Sequence, residues 1–194
     1  MIARPTSQLS GYLAACTIVL VWSCWLIVSR VANDSGLTIY DLAAMRYGLA
    51  SIVALPLCLI YKPWRHLRLV QIAVISFILG PVYILAVFAG FLFAPAAHGG
   101  IFMNGLLPFL SMLLMALFAK KHPSLRQLGG AALILGATVV LAWDGSAMGH
   151  AQAWIGDALF AVGALFFAVY VMLSGRWQLG AMQIIFCGTI VNAV

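Results

Sequence analysis

Long apolar runs separated by short polar segments recur along the whole chain. Each run holds about 20 residues, which an α-helix needs to cross the roughly 30 Å hydrocarbon core of a bilayer. Within the third run, small residues at every fourth position (Ala86, Gly90 and Ala94) predict a face for close helix packing. A seventh span begins near residue 179 and is cut at Val194. The six complete spans are predicted near residues 11–31, 42–60, 70–93, 97–118, 126–143 and 154–174.

The composition indicates an integral membrane protein. Hydrophobic residues make up 65% of the 194 residues, charged residues only 7%, and the mean hydropathy is +1.11. A soluble protein of this size cannot bury so much apolar surface, and its exterior needs charge. In a soluble protein, a net charge of +6 would suggest binding to nucleic acid. Here the basic residues lie between apolar runs, so we expect the lipid bilayer, and no nucleic acid, as partner.

The basic residues are distributed unevenly between the two sides of the predicted bundle. If the N-terminus lies inside the cell, the inner segments carry eight Lys and Arg residues, and the outer segments carry only Arg30 and Arg46. Cytoplasmic loops of membrane proteins are enriched in these residues. We therefore expect a multi-pass protein of the cell membrane, the inner membrane in a bacterium, with a cytoplasmic N-terminus.

Two adjacent spans contain residues that interrupt a helix. Proline lacks an N–H group and crowds the carbonyl four residues earlier, so the breaks should free the carbonyls of Phe77 and Asn104. An unpaired carbonyl in hydrocarbon costs several kcal/mol and must face protein or water. The breaks are either ordinary kinks, with Asn104 bonding between helices, or part of a substrate cavity. The predicted hinge residues are Gly80, Pro81, Gly105 and Pro108.

Aromatic and polar side chains inside the spans are the candidates for the cavity wall. Buried indole and phenol groups need hydrogen-bond partners, and exposed aromatic faces suit aromatic, amphipathic or cationic ligands. His98 is either a solvated cap of the fourth span or a gate that contacts substrate. Arg46 fits a structural anchor for Asp41 or a headgroup better than a binding residue, and Asp157 fits a helix cap. The predicted substrate-binding residues are Trp22, Trp25, Tyr83, Asn104 and His98.

The sequence offers no pattern for catalysis or for metal binding. The cysteines lie in apolar runs, the histidines are far apart, and no CxxC, HxxxH or DxxD spacing occurs. We therefore expect no enzyme activity and no cofactor. The chain contains no Glu and no charge near a span centre, so a proton relay would need His98 or Asp157 to be drawn inward. Facilitated transport, exchange and proton coupling all remain open.

The first and sixth spans are similar to each other. Counted from a glycine at the start of each, Trp22 corresponds to Phe167 and Trp25 to Tyr170. The two spans are five crossings apart, so a second copy would cross the membrane in the opposite direction. This arrangement is the inverted-repeat plan of secondary transporters.

Several features recur together over the first 143 residues. They are the Trp-bearing first span, LAAMRYGLASIVALP (42–56), the proline in the fourth span and SLRQLGGAALILGATVVLA (124–142). In their order and spacing the chain resembles the EamA-like transporter family of the drug/metabolite transporter superfamily. The resemblance implies an all-α integral membrane bundle of inverted five-helix repeats, with residues 1–143 as the first repeat and 154–194 as the truncated beginning of the second. The sequence departs from the family at Lys120 and Lys121, where members usually carry an acidic residue.

The resemblance implies a transporter of small metabolites, an exporter of amino acids or related compounds that works by alternating access. One alternative is a truncated, non-transporting membrane fragment or scaffold. A homodimer of such chains is compatible with this plan, although the charge bias argues against pairing in opposite orientations. A second, weaker alternative is an integral membrane enzyme, which would need a nucleophile–base pair, paired carboxylates or a metal cluster.

Overall fold

The computed structural model describes residues 8–119, 123–147 and 152–193, and all regular secondary structure in these ranges is helical. Lys120 and Lys121, the departure from the family pattern, lie outside them. A 3₁₀ turn (Pro63–His66) and two π-helical segments (Gly100–Gly105 and Phe186–Ile190) connect or extend the α-helices. The α-helices are α1 (Gln8–Asn33), α2 (Ile39–Tyr61), α3 (Leu69–Leu79), α4 (Pro81–Phe93), α5 (Ala96–Gly99), α6 (Leu106–Ala119), α7 (Leu125–Ala147), α8 (Ala153–Arg176) and α9 (Ala181–Ile185).

The membrane-length helices coincide with the predicted spans one to four and six. Among the described residues, the apolar helix at the predicted fifth span is Leu125–Val140, and the one at the seventh is Ala181–Ile190. An all-helical fold with several membrane-length helices is thus confirmed, whereas six full spans and the inverted repeat stay predictions. In the described ranges, five segments are long and apolar enough to cross a membrane: Leu9–Asn33, Ile39–Tyr61, Leu69–Phe93, Ala96–Phe118 and Ala153–Arg176.

The most extensive contact in the fold is between α4 and α8. Small residues allow the two backbones to approach, as the sequence predicts for the face with Gly90 and Ala94. A Cβ atom added at Gly156 would lie 2.6 Å from the Cβ of Ala94 and 2.7 Å from the carbonyl oxygen of Gly90. The large side chains fully buried around this contact are Ile84, Val87, Phe91 and Phe160.

The third span is broken at Gly80, between α3 and α4, as the Gly-Pro pair predicts. The expectation that this break leaves the carbonyl of Phe77 free is wrong. Because Pro81 has no N–H, that carbonyl accepts instead from the N–H of Gly80 in a tighter turn, at 3.4 Å. The carbonyl of Leu79 accepts from the hydroxyl of Tyr47 in α2, at 2.9 Å. The break is thus closed by protein groups.

The fourth span is widened at its predicted break. Between α5 and α6, residues Gly100–Gly105 form a π-helical segment that ends just before Pro108. Such segments are rare and often lie at functional sites. The side-chain oxygen of Asn104, within this segment, is buried and has no hydrogen-bond partner in the described part of the chain. Hinge motion at Gly105 and Pro108 stays a prediction.

Polar side chains fix the end of α1 against α4. The amide nitrogen of Asn33 donates to the carbonyl of Phe88 at 2.9 Å. The guanidinium of Arg30 donates to the carbonyl of Phe91 and lies 3.4 Å from the carboxylate of Asp34. These contacts position the first span, and with it the tryptophans further along α1.

Candidate functional site

A partly open cavity of about 210 Å³ lies between α1, α2, α4, the π-helical segment and α8. Three of the five predicted substrate-binding residues, Trp22, Trp25 and Tyr83, line it together, although they come from two different spans. We call it the aromatic cavity. Its lining residues are Val21, Trp22, Trp25, Arg46, Tyr83, Met103 and Phe167.

Phe167 of α8 holds the aromatic wall together. Its ring packs edge to face against Trp22, with ring centroids 5.6 Å apart and planes at 87°. The ring of Tyr83 lies 6.1 Å from that of Phe167. The Tyr83 hydroxyl reaches the sulfur of Met103 at 3.8 Å. Such aromatic pairs add about 0.5–1.5 kcal/mol beyond their buried area, so they favour a defined wall.

Arg46 of α2 brings a positive charge to this otherwise apolar wall. Its guanidinium carbon lies 5.3 Å from the centroid of the Trp25 ring, which is a cation–π geometry. The expected pairing with Asp41 is wrong. The Asp41 carboxylate accepts from the hydroxyl of Thr38 at 2.7 Å and from its backbone N–H at 2.9 Å, and so caps α2.

Asn104 lies outside the aromatic cavity, in a neighbouring groove. This groove has a volume of about 240 Å³, and Trp22 lines both spaces. The structure therefore brings Asn104 together with Trp22 in this groove, whereas Trp25 and Tyr83 do not line it. The groove is lined by Ile18, Val19, Trp22, Ser23, Asn104 and Leu107.

His98 is buried and pairs with Asp157, so the expectations of a solvated His98 and of a simple helix cap at Asp157 are wrong. The His98 Nδ1 lies 2.7 Å from the Asp157 Oδ1, and the two side chains are 5% and 7% exposed. The His98 ring also stacks on Phe102, with centroids 6.1 Å apart. His98 and Asp157 are buried together because the first turns of α8 pack against α5. Neither residue lines the aromatic cavity, and substrate contact by His98 stays a prediction.

A larger cavity of about 430 Å³ lies between α6 and α8, toward the C-terminal end of α8. It is lined by Ser111, Met115, Phe118, Val171, Met172, Gly175 and Arg176. Ligand sites combine apolar and aromatic walls with a few converging polar groups. The aromatic cavity fits that description better despite its smaller volume, because four aromatic rings and one guanidinium converge on it.

Sequence reasoning missed Val21, Arg46, Met103 and Phe167 as cavity residues. For Phe167 a signal exists, because it is the counterpart of Trp22 in the similarity between the first and sixth spans. For Met103 the sequence gives no signal. Within the described ranges, no three His, Cys, Asp or Glu side chains form a group that could hold a metal ion.

Comparison with known proteins assigns the chain to a family. No curated protein and no solved structure matches the chain. The model of the EamA-like transporter family matches residues 9–143, well over half of the 194 residues. That range includes every lining residue of the aromatic cavity except Phe167. Members of the family are membrane transporters of small solutes, so a small-molecule substrate and a multi-pass membrane location follow. The protein therefore belongs to the EamA-like transporter family of the drug/metabolite transporter superfamily.

Proposed function

We propose that the protein exports amino acids or related small metabolites across the cell membrane by alternating access, with the aromatic cavity as its substrate site. The observation that carries this proposal is the cavity itself. Its wall combines residues from the first, second, third, fourth and sixth predicted spans. Movement of these spans relative to one another would change access to the cavity, which is what alternating access requires.

The position of the cavity supports this role. Trp22 lies near the middle of α1, and Tyr83 lies within one turn of the break at Gly80. Substrate sites of secondary transporters lie near the bilayer midplane, beside interrupted helices. In this proposal Gly80 and Pro81, with Gly105 and Pro108, are the hinges. The excess of basic residues on one side supports a cytoplasmic N-terminus.

The contact between Trp22 and Phe167 supports the proposed inverted repeat of residues 1–143 and 154–194. These two residues occupy equivalent positions in the first and sixth spans, and their rings touch. Residues related by a two-fold axis meet when the axis passes between them. The proposed axis would therefore run through the wall of the aromatic cavity.

Metabolite efflux from cells that express the protein tests the proposal. We expect Trp22→Ala to lower export about tenfold or more, because a large part of the cavity wall is lost. Asn104→Leu, in the neighbouring groove, should have a smaller effect. Trp154→Ala is the matched control, because Trp154 is 68% exposed and lies outside the cavity. Wild-type export by Trp22→Ala at equal membrane abundance would remove the aromatic cavity from the transport path.

A further inference from the structure

We propose that Arg46 makes the aromatic cavity a site for anions, and that its ligands are small carboxylates with one aromatic ring. This inference rests on the proposed function and names the substrate class of the same site. It comes from a guanidinium that faces an aromatic cavity in a membrane span and that has no acidic partner among the described residues.

Three of the acidic residues of the chain are engaged elsewhere. The sequence contains four. The Asp34 carboxylate lies 3.4 Å from the Arg30 guanidinium, the Asp157 carboxylate lies 2.7 Å from the His98 imidazole, and Asp41 caps α2. The fourth, Asp144, lies on α7. Across the described residues, Arg46 forms no ion pair, which leaves its guanidinium available to an anionic ligand.

The contact with Trp25 holds the guanidinium in a position from which it can bind an anion. An arginine within a membrane span is unfavourable unless it faces a cavity or is paired, and the indole face offsets only part of this cost. A guanidinium that lies over a ring keeps its N–H donors at the edge. Within the described part of the chain, no hydrogen bond uses the donors of Arg46. A carboxylate could therefore bind Arg46 through two parallel hydrogen bonds.

The same charge disfavours cationic ligands, which aromatic faces alone would accept. An ammonium group would be repelled by Arg46, and the cavity wall supplies no carboxylate to hold it. Of the aromatic, amphipathic and cationic ligands that the sequence suggests, the cationic ones are therefore disfavoured. A carboxylate should bind best, and an amine that lacks a carboxylate should bind worst.

The volume of the cavity limits the size of the apolar part of the ligand. A dry cavity of about 150 Å³ accommodates benzene. The aromatic cavity, at about 210 Å³, has room for one ring and a short acidic chain. Trp22, Tyr83 and Phe167 line the cavity, so a ligand ring can pack against their aromatic side chains. The carboxylate would then reach Arg46 at the α2 side of the cavity.

Binding of three probes to the purified chain in lipid nanodiscs tests the assignment, with tryptophan fluorescence as the signal. The probes are 3-phenylpropionate, its neutral amide and phenethylamine. We expect the wild type to bind the acid about tenfold or more tightly than the amide, because a hydrogen bond to a charged group contributes that much. Arg46→Gln should weaken binding of the acid about 10- to 100-fold and change binding of the amide by less than about twofold.

Two further variants complete the comparison. Arg65→Gln is the matched control, because Arg65 is exposed in the Pro63–His66 turn and does not line the cavity; it should bind like the wild type. If Arg46→Gln fails to fold, Arg46→Lys replaces it and should still prefer the acid to phenethylamine, because it keeps the positive charge.

Four results would overturn the anion assignment: equal binding of acid and amide by the wild type, tighter binding of phenethylamine, no binding of the three probes, or wild-type binding of the acid by Arg46→Gln. Binding is measured here without transport. Failure of the anion assignment is therefore separate from failure of the proposed function, which the efflux experiment detects.

Discussion

The substitution His98→Leu should destabilise the protein strongly, because it removes one partner of a buried pair. The Nδ1–Oδ1 distance is 2.7 Å, and the side chains of His98 and Asp157 are only 5% and 7% exposed. For a fully charged pair at this distance, the attraction is about 6 kcal/mol at an effective dielectric constant of about 20. Much of this attraction is offset by the loss of hydration. What remains after the substitution is an acid buried without its partner.

We expect His98→Leu to lower the free energy of unfolding by about 3–5 kcal/mol, the usual cost of breaking a buried pair. Asp157→Asn keeps an acceptor for the imidazole N–H and should cost only about 1 kcal/mol. The double substitution His98→Leu/Asp157→Leu should recover most of the loss, because replacing both members of a buried pair by apolar residues is often neutral.

Unfolding by a denaturing detergent in mixed micelles, followed by tryptophan fluorescence, measures these differences. His66→Leu is the control, because His66 is exposed in the Pro63–His66 turn. The reasoning is refuted if His98→Leu costs less than about 1 kcal/mol, or if the double variant is less stable than His98→Leu alone. Either result would mean that the pair is not what joins α5 to α8.

Two further substitutions test the packing of the fold. Tyr47→Phe should cost about 1–2 kcal/mol in the same unfolding experiment, because the Leu79 carbonyl loses its donor; Tyr61→Phe, at an exposed position, should cost nothing measurable, and equal losses would contradict the role of Tyr47. Gly156→Val should sharply reduce the folded yield in size-exclusion chromatography, because any Cβ there lies 2.6 Å from the Cβ of Ala94. Gly129→Ala, where nothing lies within 4 Å, should be tolerated, and an equal yield from both variants would refute the close contact of α4 with α8.

The positions of the helices could be predicted from the sequence because they depend on local properties. Apolar runs of membrane length reveal the spans, and the break at Gly80 follows from the covalent structure of Pro81. The packing face with Gly90 and Ala94 was also predictable from its spacing. These features need no knowledge of which helices are neighbours.

The pairing of His98 with Asp157 could not be predicted in this way. The two residues are 59 positions apart, and each occupies the first turns of a helical segment, where a solvated cap is the usual role. Only the packing of α8 against both α4 and α5 buries the two side chains together. The role of Arg46 could not be predicted either. Its nearest acid in sequence, Asp41, is bound to Thr38 and does not pair with it.

The break in the third span influences the candidate site through α2. An unpaired carbonyl at membrane depth must find a donor, and at Leu79 that donor is the hydroxyl of Tyr47. This hydrogen bond fixes α2 against the broken span at one turn of the helix. Arg46 is the residue immediately before Tyr47, so the same turn that closes the break carries the guanidinium to the cavity wall. The break at Gly80 therefore contributes to the site by fixing the position of a charge, whereas the carbonyls of Phe77 and Leu79 beside it are bound within the protein.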